Sequence, residues 1–161
     1  WLRGVIAFFD LPMSRNRPGP QQQAPLSFKG QPLSLSICYE IAYPHLVRSA
    51  AKEPMALVTI SNDTWFGDSI GPAQHLQIAQ MRALENGRSL LRVTNNGITA
   101  AIDHAGEITD VLPRNQQGVL QTELVLVRGD TPYHHYGYGM LGAILIFVFL
   151  LNIAASRWRS Q

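Results

Sequence analysis

The only cysteine of the chain, Cys38, ends a segment whose pattern predicts a β-strand. From Leu33 to Cys38 apolar residues alternate with small polar ones, so the two kinds of side chain lie on opposite faces. A helix pattern follows, and such a junction places side chains at a sheet edge, where α/β proteins form ligand crevices. The unpaired N–H groups of the helix start, beginning with Tyr39, can stabilise a thiolate or an oxyanion. Cys38 is therefore a candidate nucleophile, although most strand cysteines are only buried hydrophobes.

Glu40, two residues after the cysteine, has two interpretations. It can be an acid at a helix N-terminus, where a carboxylate complements the helix dipole. It can instead belong to the active-site wall and form hydrogen bonds there. A carboxylate so close to a thiol disfavours the thiolate, so Glu40 is not expected to activate Cys38 by itself.

A polar and aromatic loop, Ser61 to Asp68, follows the next predicted strand. Its Trp65 and Phe66 can line a pocket for an apolar substrate or pack in the core beneath the loop, since both uses need aromatic surface. Asn62 and Asp63 can support such a pocket through hydrogen bonds. Turn formation by their side chains is the favoured interpretation.

No metal site and no cofactor are expected. His75 falls at the start of a predicted helix, where we favour a structural over a catalytic role. His104, His134 and His135 lack the spacing of metal ligands. A single cysteine also excludes a zinc site of the paired-cysteine type.

The elements around these residues predict a layered α/β sheet. Ile41 to Ala51 is typical of a helix with Pro44 in its first turn. Met55 to Ile60 is continuously apolar, which predicts a strand buried on both faces. Gln74 to Asn86 is predicted to be a helix that ends at Gly87.

Hairpins follow, so the sheet is expected to be mixed rather than purely parallel. After a strand from Leu90 to Thr94, Asn95, Asn96 and Gly97 form a strong hairpin signal because Asn and Gly tolerate positive φ. Three further strands are predicted at Ile98–Ile102, Glu107–Leu112 and Val119–Val127.

The N-terminal part is predicted to be a loop, because prolines recur between residues 10 and 25. Its apolar beginning is either the root of an ordinary surface loop or a flap that touches lipid; the residues concerned are Phe8, Phe9, Leu11 and Met13. The sequence does not begin with Met, and we expect it to be part of a longer polypeptide.

Residues 136–156 are predicted to cross a membrane, because about 20 apolar residues span the hydrocarbon core. Tyrosines precede this run and Trp158 follows it, as in interfacial aromatic belts. By the positive-inside rule, Arg157 and Arg159 place the C-terminus in the cytoplasm. A buried core helix is the alternative, and so long an uncharged run disfavours it.

Composition excludes two classes of protein. Hydrophobic residues make up 46% of the chain, which excludes a disordered polypeptide. The net charge is +2 and no stretch concentrates Lys and Arg, so no nucleic-acid partner is expected.

Ser36 to Glu40 resembles the nucleophile motif of the nitrilase superfamily. More narrowly, several blocks in the correct order resemble the apolipoprotein N-acyltransferases. These blocks are Ile37–Ile41, Ser61–Pro72, Gln74-His75, Met81–Glu85 with Arg88, and Thr94–Thr99. Because they cover residues 37–99 densely, the resemblance is far more specific than a lone cysteine motif.

The resemblance implies a fold and a place in the cell. Residues 1–132 would be the C-terminal part of a four-layer α-β-β-α sandwich on the periplasmic side of a bacterial inner membrane. A transmembrane helix at 136–156 and a cytoplasmic tail at 157–161 would follow. The multi-pass remainder of the same enzyme would lie upstream.

The resemblance also implies a reaction. A fatty acyl group would pass from a phospholipid to a thioester on Cys38, then to the N-terminal amine of a diacylglyceryl-cysteine apolipoprotein. Tyr39 and Glu40 would support the active site. The expected substrate-binding residues are Asn62, Trp65 and Phe66.

Members of this family use a glutamate as general base and a lysine that holds the oxyanion, and both precede the cysteine. Glu40 is too close in sequence to be that base, and Lys29 is not on the family's lysine segment. We therefore expect upstream residues to supply both groups.

Two other functions stay open at this point. An amidase or other carbon–nitrogen hydrolase of the same superfamily would share Cys38 but would need no membrane segment. A membrane-tethered scaffold would carry an inert Cys38.

Overall fold

The computed structural model describes residues 19–20, 23–51 and 55–159. The four apolar residues of the predicted flap lie outside these ranges. Two short strands open the described fold, β1 at Leu26–Phe28 and β2 at Gln31–Ile37. A 3-10 helix at Cys38–Ala42 and the helix α1 at Pro44–Ala50 follow. The helix predicted at Ile41–Ala51 is thus two shorter ones, and Pro44 occupies the first turn of the second as predicted.

The central part alternates strands and helices. Strand β3 spans Ala56–Asn62 and leads into a 3-10 helix at Asp63–Phe66. Helix α2 spans Gly71–Asn86 and ends at Gly87, whose φ of 60° is the left-handed conformation that favours glycine at a helix C-terminus. The predicted stop at Gly87 is confirmed.

The hairpins lie where the turn residues predict them. Strands β4, β5 and β6 span Leu90–Asn95, Thr99–Ile102 and Ile108–Leu112. Asn96 in the first turn has a φ of 59°. The predicted strand at Val119–Val127 is wrong, because this segment has no regular secondary structure and joins no ladder. Side chains hold it instead: the Ser89 hydroxyl donates to the Val125 carbonyl at 2.7 Å.

The six strands form one mixed sheet in sequential order, β1 to β6. Strands β2, β3 and β4 are parallel, while β1 and the pairs β4–β5 and β5–β6 are antiparallel. This arrangement confirms the predicted mixed α/β class. The carboxyl ends of the three parallel strands lie at one edge of the sheet, and Cys38 and Asp63 lie in the segments that leave β2 and β3 there.

One face of the sheet is buried beneath the helices. Its core consists of Ile41, Val47, Ala51, Leu57, Leu76, Ala79, Ala83, Leu90, Ala100 and Ile102. The opposite face is open. Ile37, Ile60 and Val93 are neighbours on this face, and they are 61%, 48% and 48% exposed. Strand β3 is therefore not buried on both faces, since nothing among the described residues covers Ile60. We call Ile37, Ile60 and Val93 the open face.

The described chain ends in a short helix, α3 at Pro132–Tyr136, and a long one, α4 at Gly139–Arg159. Among the described residues, α4 is long and apolar enough to cross a membrane, and none of its apolar window is buried. The predicted start at residue 136 differs, because Gly137, with a φ of 57°, separates the two helices.

Opposite faces of β3 should respond differently to truncation in the 161-residue chain. Leu57→Ala should lower the free energy of unfolding by about 2–5 kcal/mol, because it opens a cavity in the core. Ile60→Ala is the matched control on the open face and should cost clearly less. Chemical denaturation in detergent, followed by circular dichroism, measures both. Equal losses would contradict the assignment of the two faces.

Candidate active site

The candidate site lies at the carboxyl edge of the parallel strands. Cys38 follows β2 directly, and β3 ends in Ser61 and Asn62 before Asp63 begins a 3-10 helix. The register of β2 and β3 pairs Ile37 with Ile60, so the carboxyl ends of these two strands are neighbours. Crevices at such edges are the usual ligand sites of α/β folds.

Cys38 adopts an unusual backbone conformation with a φ of 53°. A residue with a Cβ in this left-handed region costs about 1–2 kcal/mol, so its surroundings must hold it there. It begins the 3-10 helix Cys38–Ala42, whose first N–H groups have no partner within the helix. The thiol is half-buried and free. A sharp strand-to-helix turn of this kind presents a nucleophile next to backbone donors.

Glu40 fastens the start of this turn. The Ile37 N–H donates to Glu40 Oε2 at 2.7 Å, which ties the carboxylate to the strand end. Its interpretation as an acid at a helix start is confirmed, and this bond occupies one of its oxygens.

A buried cluster lies behind the cysteine. Arg92 Nη2 donates to Asp63 Oδ2 at 2.6 Å, and both side chains are completely buried. The other Asp63 oxygen, Oδ1, lies 3.1 Å from His75 Nδ1 and 2.6 Å from the Ser61 hydroxyl. We call Ser61, Asp63, His75 and Arg92 the Asp63 cluster. It joins β3, β4 and α2 at one carboxylate.

Two members of the Asp63 cluster reach Cys38. His75 Nε2 lies 3.3 Å from the Cys38 carbonyl oxygen. Ser61 Oγ lies 3.6 Å from the Cys38 sulfur. The backbone and the thiol of the strained residue are thus each held from one side by the same cluster.

The electrostatics of Arg92 follow from its burial. Burial lowers the pKa of the guanidinium, and the anionic forms of Asp63 and Cys38 act in the opposite direction. Its Nε and Nη1 atoms are buried without a partner among the described residues. The pair with Asp63 is therefore what compensates this charge.

Gly97 leaves room for the cluster. A Cβ built at this position would collide with the Asp63 carboxylate. The turn between β4 and β5, which the sequence marks as a hairpin, thus also closes over the buried carboxylate.

The loop residues have separate placements. The Asn62 side chain accepts from the Thr64 N–H at 3.2 Å, so its predicted turn role is confirmed. Asp63, for which a turn was also favoured, is instead the buried centre of the cluster. Trp65 is 82% exposed, so the alternative of core packing is wrong for it. Phe66 is half-buried and contacts the His75 ring edge-to-face at 5.9 Å.

Tyr39 lies on the surface beside the site. It is exposed and stacks edge-to-face on Tyr43, with ring centroids 5.7 Å apart. Its side chain is thus accessible next to the cysteine. Among the described residues, no group of three His, Cys, Asp or Glu could hold a metal ion.

The sequence analysis missed Ser61 and Arg92, and it gave His75 no place near the cysteine. His75 lies in the second turn of α2, and its structural interpretation fits the burial and the two close contacts. One signal could have found Arg92: it is a lone charge in the apolar strand Leu90–Val93. A buried charge needs a partner, and Asp63 is the acid at the neighbouring strand end.

Comparisons with known proteins agree with this architecture. The family model for carbon–nitrogen hydrolases matches residues 9–131. A carbon–nitrogen hydrolase from Helicobacter pylori G27 superposes with a TM-score of 0.57 at 16% identity, over 65% of this chain and 44% of its own. A mutant amidase of Nesterenkonia sp. AN1, with acrylamide added at its active-site cysteine, gives 0.52 at 24% identity, over 80% and 51%. At these identities the likeness shows the fold.

Curated relatives are much more similar in sequence. Apolipoprotein N-acyltransferases from Pseudomonas paraeruginosa PA7 and Pseudomonas syringae pv. tomato DC3000 are 50% and 49% identical, over 92% and 97% of this chain. The enzyme of the same name from Vibrio vulnificus CMCP6 is 42% identical over 99%. The chain spans about 30% of the length of these relatives.

Removing the central carboxylate should damage the fold. Asp63→Ala leaves Arg92 buried without its partner, so we expect a loss of about 3–5 kcal/mol in the free energy of unfolding. Asp68→Ala removes an exposed carboxylate from the same loop and should change it by no more than about 0.5 kcal/mol. Urea denaturation of the two variants measures the difference. A loss of less than about 1 kcal/mol in Asp63→Ala would mean that another group compensates the charge of Arg92.

Proposed function

The chain belongs to the carbon–nitrogen hydrolase family, and from this premise we propose that Cys38 is the nucleophile of an N-acyltransferase that completes bacterial lipoproteins. The observation that carries the proposal is the left-handed Cys38 at the carboxyl edge, held by a buried cluster. The names of the curated relatives supply the reaction.

The proposed reaction has two steps. The Cys38 thiolate attacks an ester carbonyl of a phospholipid, an oxyanion forms, and the lysophospholipid leaves as an alcohol after it takes up a proton. The acyl group is then a thioester on Cys38. The N-terminal amine of a diacylglyceryl-cysteine apolipoprotein attacks this thioester, an amide forms, and the amine proton restores the thiol. Splitting the transfer in this way replaces one difficult step by two easier ones.

Residues around the cysteine take supporting roles in this proposal. The N–H groups at the start of the 3-10 helix, beginning with Tyr39, are donors for the oxyanion. Glu40 keeps the strand end in place through its bond to the Ile37 N–H. Asn62, Trp65 and Phe66 form the substrate-facing loop, and the exposed Trp65 supplies apolar surface for an acyl chain.

We propose that the general base and the oxyanion lysine come from the upstream remainder of the enzyme. Lys29 cannot serve, because the seven-residue strand β2 separates it from Cys38, which is about 23 Å at 3.3 Å per residue. Glu40 already accepts a hydrogen bond from the Ile37 N–H at the end of β2. The chain spans about 30% of the length of its curated relatives, which supports the proposal that an upstream part exists.

The open face also supports a site that is divided between this chain and the upstream remainder of the enzyme. Ile37, Ile60 and Val93 form a contiguous apolar row on three neighbouring strands. In an α-β-β-α sandwich this face packs against a second sheet, and two apolar sheet faces pack about 10 Å apart. The proposed upstream remainder would supply that sheet and carry its glutamate and lysine to the edge where Cys38 lies.

Helix α4 is proposed to anchor the site at the bilayer, where a phospholipid donor resides. The segment before it is fastened to the end of α2 and the residues just after that helix. Arg88, two residues beyond the helix, donates from Nη2 to Asp130 Oδ1 at 3.1 Å. The His134 ring lies 3.2 Å from Asn86 Oδ1, and burial lowers its pKa. These contacts fix the catalytic part close to the start of the helix. An amidase acting on small soluble substrates would have no need of such an anchor.

Replacement of the nucleophile tests the proposal in the complete enzyme. Cys38→Ala should abolish acyl transfer to a lipoprotein peptide and leave the fold intact. Cys38→Ser should be almost as inactive, because a hydroxyl is far less ionised than a thiol near neutral pH. An acylation assay with phospholipid in detergent measures both, and circular dichroism controls for folding. Turnover by the Ala variant would exclude Cys38 as nucleophile.

Orientation in the membrane gives a second test. If Arg157 and Arg159 follow the positive-inside rule, the C-terminus is cytoplasmic and Cys38 lies on the periplasmic side. A membrane-impermeant thiol reagent should then label Cys38 in intact spheroplasts of the producing bacterium. A detergent-opened sample controls for a thiol that is merely occluded. If Cys38 is labelled only after the inner membrane is breached, the proposed orientation is wrong, and the proposal of a lipoprotein substrate is wrong with it.

A further inference from the structure

The His75 ring faces an oxygen atom on each side. Its Nδ1 lies 3.1 Å from the Asp63 carboxylate, and its Nε2 lies 3.3 Å from the Cys38 carbonyl. The ring therefore bridges the Asp63 carboxylate and the backbone of Cys38, and its tautomer decides to which of the two oxygens it donates. Since His75 is only 3% exposed, water cannot readily replace either partner.

The ring that touches the Cys38 backbone is itself held in place. His75 contacts Asp63, Asp63 is paired with Arg92, and all three side chains are buried. Because a buried charge needs its partner, this series of contacts fixes the position of the ring.

The other groups near His75 and Cys38 have contacts of their own. Phe66, on the second 3-10 helix, presents an uncharged ring. Asp63 is the only carboxylate for which a contact with the imidazole is described. Glu40, the acid nearest in sequence to Cys38, is bound to the Ile37 N–H.

The Ser61 hydroxyl connects the cluster to the sulfur. Its oxygen lies 2.6 Å from Asp63 Oδ1 and 3.6 Å from Cys38 Sγ. When the thiol ionises, the Ser61 hydroxyl proton can turn from Asp63 to the sulfur, because Asp63 keeps its contacts with His75 and Arg92. Hydrogen bonds to an ionised acceptor are about twice as strong as neutral ones.

We propose that Ser61, Asp63, His75 and Arg92 are positioning residues that hold the backbone of Cys38 in its left-handed conformation and its sulfur at the carboxyl edge of the sheet. His75 ties the Cys38 backbone to Asp63, and Ser61 fixes the sulfur. When the thiolate forms, the thiol proton passes to water, and no other bond breaks. This role rests on the proposed function of Cys38 as the nucleophile.

The test follows Cys38 without any acyl substrate. The complete protein in detergent is treated with iodoacetamide between about pH 5 and 9, and mass spectrometry of the Cys38 peptide gives the rate of alkylation. Only the thiolate reacts, so the profile reports its population. His75→Gln should react several-fold more slowly than wild type at about pH 6, because the sulfur loses its fixed place beside the Ser61 hydroxyl, and should approach the wild-type rate near pH 9.

Two further variants keep the test decisive. Ser61→Ala retains every charge of the cluster and should slow alkylation several-fold at pH 6, which decides the matter if His75→Gln does not fold. Thr59→Val is the matched control: it removes a buried hydroxyl from the same strand and has no described contact with Cys38. Its profile should match wild type. A wild-type profile in folded His75→Gln or Ser61→Ala, or an equal shift in Thr59→Val, would overturn the proposal. Because alkylation needs no acyl donor, this result does not depend on whether the enzyme transfers acyl groups.

Discussion

The contact between Asp63 and Arg92 is the constraint on which the site depends. Two completely buried charges, 2.6 Å apart, join the 3-10 helix that follows β3 to the neighbouring parallel strand β4. Neither can leave without stranding the other in a low-dielectric interior. The same carboxylate also holds His75 and Ser61, and through them both the backbone and the sulfur of Cys38. A residue with a positive φ is retained here because its surroundings over-determine it.

Local patterns predicted most of the elements but not the faces of the sheet. The alternation before Cys38 predicts β2 correctly, and Asn96 and Gly97 mark a real hairpin. The serines of β2 are the buried side and its leucines the half-open one, the reverse of a simple reading of polarity. The leucine side belongs to the open face, which lacks a covering layer among the described residues. Similarly, Val119–Val127 has a strand-like pattern but pairs with no described strand.

The site divides into a part that sequence reasoning can reach and a part that it cannot. Cys38 and Glu40 are two residues apart in the chain, so a motif reveals them. Asp63 and Arg92 are separated by 29 residues and meet only because β3 and β4 pair in parallel register. No local periodicity encodes such a contact. The lone arginine in an apolar strand is the one trace of it in the sequence.

The central claim is that Cys38 carries the acyl group between donor and acceptor, and mass spectrometry of the intact protein tests it most directly. The complete enzyme would be incubated with phospholipid in the absence of an acceptor. The account predicts one added fatty acyl group, located at Cys38 by fragmentation and released by neutral hydroxylamine as a thioester is. An acyl group on another residue, or turnover without any acyl-enzyme, would contradict it.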